Sequence, residues 1–225
     1  VKHLINLIVN SHAYKLSSNA TVESKKVDPL NLHFSRQAMH RLPAEMIRDN
    51  ILETSGILFK EYGGPSVKPF QPKGYYKHLN FPKREYKADS NRSRLKRSVY
   101  IHWQRQFLHP MLLAMDAPSR EECVAKRSRS NSPVAAMVLL NDPSFYEAAE
   151  EFAKQIIKSS DDDSKRIEFA FYKALSRKSD KQEEDIIKKL ISSIRLELKG
   201  NDQAELLSWT AASRAIFNCA EFNLR

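Results

Sequence analysis

Residues 132–157, SPVAAMVLLNDPSFYEAAEEFAKQII, decide the fold class. Each of two prolines sits where the first residue of a helix belongs, since that position has no hydrogen-bonding use for its missing N–H. Each follows a residue whose short side chain can accept from the free amides of the first turn: Ser132 before Pro133, and Asp142 before Pro143. The first helix is predicted to run through VAAMVLL to Asn141. The second carries Phe145, Ala148, Ala149, Phe152 and Ile156 at three- and four-residue spacing.

The pattern continues toward the C-terminus. Asp161 to Asp163 form an acidic start for a helix from Ser164 through Ile167, Phe171 and Leu175. Ser179 or Asp180 caps the next, through Ile186, Ile187, Leu190 and Ile194, and Gly200 with Asn201 ends it. A last helix carries Leu206, Leu207, Trp209, Ala212, Ile216 and Phe217. Residues 133–225 are therefore expected to form a bundle of about five helices. Only five glycines occur in 225 residues, few for a protein built on tight β-turns. The fold class expected is mainly α, a helical bundle with a long irregular Pro/Gly/basic insertion.

Toward the N-terminus, VKHLINLIVNSHAYKL (1–16) places Leu4, Ile5, Leu7, Ile8 and Leu16 largely on one helical face. Residues 35–59 form the next helical segment, with Met39, Leu42, Met46, Ile47 and Ile51 in register. Pro43 should kink it or start a fresh helix, and Gly56 should end it. Residues 62–98 lack helical periodicity and carry Gly63-Gly64-Pro65, Pro69, Pro72, Gly74 and Pro82, then a basic run. Their aromatics, Phe70, Tyr75, Tyr76, Phe81 and Tyr86, argue for partial packing. Residues 98–109 again look helical. The chain divides into sub-regions 1–61 (helical), 62–132 (irregular and basic) and 133–225 (bundle).

The net charge of +10 comes from the middle. Residues 67–131 hold 15 basic and 5 acidic side chains, against 8 and 6 before them and 14 and 16 after. Such a segment either attracts anionic partners or is a solvated face. The run 83–97, KREYKADSNRSRLKR, interleaves Tyr86 with cations, as a nucleic-acid grip would.

Motifs of catalysis are absent from the sequence. There is no HExxH and no GxSxG, and Gly63-Gly64-Pro65-Ser66 lacks the lysine of a phosphate-binding loop, so it is read as a turn. The seven histidines are scattered, and His102 and His109 flank Trp103 and Phe107 without a metal-ligand spacing. Cys123 and Cys219 form neither CxxC nor CxxCH, so the chain carries no covalent haem attachment; their spacing leaves pairing in an oxidising compartment open, and two free, buried thiols are the reading expected. No stretch approaches the ~20 apolar residues of a membrane span. The densest polar cluster is Asp116, Arg120, Glu121, Cys123, Arg127, Arg129 and Asn131. Asp116-Ala-Pro-Ser119 reads as a turn into a short helix that would set Arg120, Cys123 and Arg127 on one face. Arginines beside a carboxylate bind an anion or lock loops together. The binding candidates are therefore Asp116, Arg120, Cys123, Arg127, Arg129 and Asn131, with no catalytic or metal residue assigned.

RSVYIHWQRQFLHPMLLAMDAPSREECVAKRSRSNSPVAAMVLLNDPSFYEAAE (97–150) resembles the signature stretch of the planctomycete-type cytochrome-c-associated C-terminal domain, a domain of unknown function in large secreted bacterial proteins. VKHLINLIVNSHAYKLSS, DPLNLHFSRQAMHRLPAEMIRDNILETSGIL, GGPSVKPFQPKGY and the closing WTAASRAIFNCAEFNLR fit the same family in order. The family tends to read TNTPLQAL where Ser130–Met137 read SNSPVAAM, so Ala135 replaces a glutamine amide. The resemblance implies an exported parent, periplasmic or secreted, with this chain as the C-terminal portion of its domain, and a c-type haem in an upstream domain. It makes those upstream domains the expected partner, anionic polysaccharide the alternative, and nucleic acid a poor fit. It assigns no reaction.

Overall fold

The computed structural model describes residues 1–78, 85–105 and 107–224. Phe81, Pro82, Lys83 and Arg84 of the proline-rich and basic stretch lie outside the described residues, as do Gln106, Arg225 and the side chain of His78. The fold is mainly α: among the described residues, three isolated bridges are the only β-type pairing.

Val1–Arg41, with Leu224, forms one unit and Leu42–Asn223 a second. The first unit contains helices α1 (Lys2–Asn10) and α2 (Val22–Val27). Helix α1 stops six residues before the expected end, where the Ser11 hydroxyl turns back to donate to the Ile8 carbonyl at 2.7 Å. Past α2, polar groups rather than apolar packing shape the chain. The Asp28 carboxylate accepts from the Leu32 and His33 amides at 2.7 and 3.0 Å, and Arg36 donates to the Asp28 and Pro29 carbonyls. Asn31 takes a left-handed conformation (φ 55°) that a short amide side chain tolerates.

In the second unit, α5 (Pro133–Asn141), α6 (Pro143–Ser159), α7 (Asp163–Leu175), α8 (Lys181–Glu197), α9 (Ala204–Asn218) and the single turn α10 (Ala220–Asn223) form the bundle. The caps are those the sequence gives. Ser132 accepts from the Ala135 amide, Asp142 from Ser144 and Asp162 from Lys165, and Asp180 with Glu183 closes a reciprocal capping box. Helix α6 packs most extensively on α9. Phe152 stacks on Phe217 with ring centres 5.4 Å apart, and Ala148, Ala149, Ala153 and Ala212 keep the two backbones close.

Helix α3 (Ala44–Thr54) starts afresh after Pro43, and residues 35–41 are not helical. Its buried face is Ala44, Ile47, Arg48, Ile51 and Leu52, while Met39 and Met46 are exposed. Residues 98–109, expected to be helical, instead make a 3-10 turn at Ser98–Tyr100 and an extended run. The reason is long-range pairing. Val67 donates to the Tyr100 carbonyl and His102 to the Val67 carbonyl, both at 2.8 Å, so residues 100–102 are held by a distant segment and not by their own turn. Helicity resumes only at α4 (Pro110–Ala114), behind its N1 proline. Arg48, fully buried, fastens this irregular region to α3. It donates to the Lys96 carbonyl (2.9 Å), the Ser98 hydroxyl (3.2 Å) and the Arg94 carbonyl (2.7 Å), while Asp49 accepts from the Ser98 amide. Gly63 and Gly64 form the expected turn, both left-handed, with the Tyr100 hydroxyl accepting from the Gly63 amide and Lys96 donating to the Gly63 carbonyl.

Candidate functional site

Residues 117–131 contain no helix, so the single face expected for Arg120, Cys123 and Arg127 does not form. Local backbone is the cause. Asp116 (φ 59°) and Arg120 (φ 63°) are both left-handed, Pro118 lies between them, and every residue from Ser119 to Asn131 is exposed, with no apolar side to bury.

The structure makes three separate fastenings from the cluster. The Asp116 carboxylate accepts from the Ser130 amide at 2.6 Å and from the Ser130 hydroxyl at 2.9 and 3.0 Å, closing the loop at its ends. The Arg120 guanidinium carbon sits over the Trp103 indole, 3.8 Å from the ring centre, and the indole N–H donates to the Ser119 carbonyl. Arg127 reaches both carboxylate oxygens of Glu45, in the first turn of α3, at 3.0 and 3.1 Å. Cys123, Arg129 and Asn131 stand exposed and, among the described residues, make no hydrogen bond to the others. Cys123 is thus a surface thiol, not the buried one expected. Cys219 is partly buried, and burial pushes its thiol pKa up, away from nucleophilic reactivity.

Several cations of the basic segment are similarly committed. Arg94 pairs bidentately with Glu147 at 2.6 and 2.7 Å, Lys96 meets Glu61 at 3.2 Å, and Arg97 approaches Asp49 at 3.6 Å. Lys87, Arg105, Lys126 and Arg129 remain exposed. An open groove of about 380 Å³ beside α5 and α6 is lined by Tyr146, Glu147, Glu150 and Arg214 among others. Its charges are engaged with Arg94, with Lys154 and with the Leu140 carbonyl respectively. No group of three His, Cys, Asp or Glu side chains suited to a metal ion occurs among the described residues.

The larger feature, which the helical pattern of the sequence did not flag, is apolar surface. Leu4, Ile5, Leu7 and Ile8 of α1 are 54–61% exposed, and α1 buries no residue. Over residues 1–41, thirteen large apolar side chains are exposed, and Asp28 alone is buried among the described residues. By contrast α3 and α5 to α9 each bury a face.

The family model described as "PSD1: Protein of unknown function (DUF1553)" matches residues 1–191. No curated protein and no solved structure matches the chain. No helix among the described residues is long and apolar enough to cross a membrane.

Proposed function

We propose that this chain, which belongs to the PSD1 family of proteins of unknown function (DUF1553), is a non-catalytic interaction module that docks against upstream domains of a large, exported, haem-associated parent. The observation that carries this reading is the uncovered apolar surface of residues 1–41. Monomeric proteins rarely leave such a concentration of large apolar side chains in water, and where they do it marks an interaction site. The same stretch holds six Lys or Arg against Glu23 and Asp28. Its fitting partner is therefore a protein face that is apolar at its centre and carboxylate-bordered at its rim. The committed state of Asp116, Arg120 and Arg127 agrees with a scaffold whose loops are locked before any partner arrives.

The test is assembly of this chain with the separately expressed upstream half of its parent. Wild type forms a stable complex, and Leu4→Asp with Ile8→Asp abolishes it while leaving the unfolding midpoint of residues 42–223 unchanged. A complex indifferent to that double substitution refutes the docking face. Visible spectra of the intact parent, oxidised and reduced, test the haem association directly.

A second reading, binding of anionic polysaccharide, is favoured by the exposed cations Lys87, Arg105, Lys126 and Arg129. It requires retention on a sulfated polysaccharide column that weakens as salt rises. It does not account for the apolar face, because sulfate and carboxylate groups leave Leu4, Ile5, Leu7 and Ile8 wet.

A further inference from the structure

The loop joining α4 to α5 is fastened on both sides of a stretch that is itself unheld. Upstream, the Arg120 guanidinium sits over the Trp103 indole. Downstream, Arg127 reaches both oxygens of the Glu45 carboxylate, and the Ser130 amide and hydroxyl donate to Asp116. From Glu122 to Arg129 every residue is exposed, and no backbone amide makes a hydrogen bond among the described residues. Such a stretch can be drawn out into the extended form that a protease cleft binds, with no secondary structure to break first.

The side chains select the bond. The loop carries four cations, Arg120, Lys126, Arg127 and Arg129. Arg120 lies over its indole and Arg127 is ion-paired. The peptide bond after Arg129 includes the Ser130 amide, which the Asp116 carboxylate holds at 2.6 Å. Lys126 is exposed, makes no ion pair or hydrogen bond among the described residues, and follows the uncharged pair Val124-Ala125. Lys87, by contrast, sits between Tyr86 and Asp89, whose hydroxyl and amide are bonded to the Pro69 and Lys68 carbonyls.

A cut after Lys126 would leave the fastenings of the fold in place. The piece ending at Lys126 carries α1–α4, and the piece starting at Arg127 carries α5–α10. The Asp116–Ser130 and Glu45–Arg127 contacts each join one piece to the other. So do the Arg94–Glu147 pair, at 2.6 and 2.7 Å, and the Leu42 amide on the Asn223 carbonyl, at 2.9 Å. The core is shared as well: Ile47, Ile51 and Met111 of the first piece lie in the same buried cluster as Phe145 and Phe152 of the second. We propose that Lys126–Arg127 is a processing site for a protease with an acidic specificity pocket, and that the product is a nicked protein whose two chains stay together. Water adds to the Lys126 carbonyl carbon and the C–N bond to Arg127 breaks, leaving a carboxylate on Lys126 and an amine on Arg127. The site does not depend on the docking role of residues 1–41.

The experiment digests the full chain briefly with trypsin in native buffer and reads the fragments by intact mass. The first cut within residues 42–223 is expected after Lys126. The two pieces should elute together in size exclusion, keep the helical circular dichroism of the uncut chain, and separate only in denaturant. Lys126→Gln should leave the unfolding midpoint unchanged and slow cutting of the loop by about tenfold, because an acidic pocket needs a cation before the scissile bond. Lys126→Arg should be cut like wild type. A first cut at any other bond of residues 42–223, or a Lys126→Gln loop nicked at the wild-type rate, overturns the site. Pieces that separate in native buffer overturn the two-chain product.

Discussion

Replacing Arg48 by methionine tests how the irregular half of the second unit is held. The substitution nearly preserves volume and removes only the guanidinium. Three acceptors lose their donor: the carbonyls of Arg94 and Lys96 and the hydroxyl of Ser98. Arg94 is partly exposed, so its carbonyl can recover a water. Lys96 and Ser98 are 5% and 1% exposed and cannot. Each buried orphan costs about 1–3 kcal/mol. Against this, burial already disfavours the charge, depressing the Arg48 pKa to about 10, so removing the guanidinium relieves some desolvation. The net expectation is a loss of about 2–4 kcal/mol. With a urea m-value of about 2–3 kcal/mol per molar, the midpoint should fall by about 1 M, followed by the fluorescence of Trp103 and Trp209. Arg48→Lys keeps one donor group and should lose about half as much. An Arg48→Met protein as stable as wild type would show that residues 94–98 are held by something other than this clamp.

Three further outcomes are expected. Phe152→Ala removes a fully buried ring stacked on Phe217, and should cost about 3–5 kcal/mol in a thermal or urea melt. Burial lowers the pKa of His109 to about 4, against about 6.5 in the unfolded chain. The unfolded state therefore binds the extra proton first. This contribution to stability is complete above about pH 6.5 and is lost as pH falls toward 4, by about 3 kcal/mol in all; His109→Phe should flatten that slope in urea titrations across the window. Asp116→Ala and Arg127→Ala cut exposed fastenings, so each should cost less than about 1 kcal/mol while speeding proteolysis between residues 117 and 130.

The bundle was legible because its information is local. Ser132-Pro133, Asp142-Pro143 and Asp180 each satisfy their own first turn, and the apolar spacing of α6 names the face that meets α9. Arg48 was the legible residue that went unread. It stands one position after Ile47 and three before Ile51, inside the buried stripe of α3, where a charge has to be answered by acceptors from elsewhere. Those acceptors lie 46–50 residues away, and no spacing rule reaches that far. The helix expected over 98–109 failed for the same reason: Val67 claims the hydrogen bonds of Tyr100 and His102.

The apolar stripe of α1 shows where periodicity stops being informative. Leu4, Ile5, Leu7 and Ile8 follow the same spacing logic as Phe145, Ala148, Ala149 and Phe152, yet the second set is buried and the first is exposed. Spacing states that a helix has a side wanting cover; which element covers it is a property of the rest of the fold. For α6 the cover is α9, more than fifty residues on in the chain. For α1 the local chain supplies hydrogen bonds around Asp28 and Arg36 and exposed side chains such as Leu30, Leu32 and Phe34, so it adds to the uncovered surface. Burying apolar area is the main favourable contribution to folding and to association alike. On the docking reading, the apolar area that residues 1–41 leave exposed is the area a partner surface would bury.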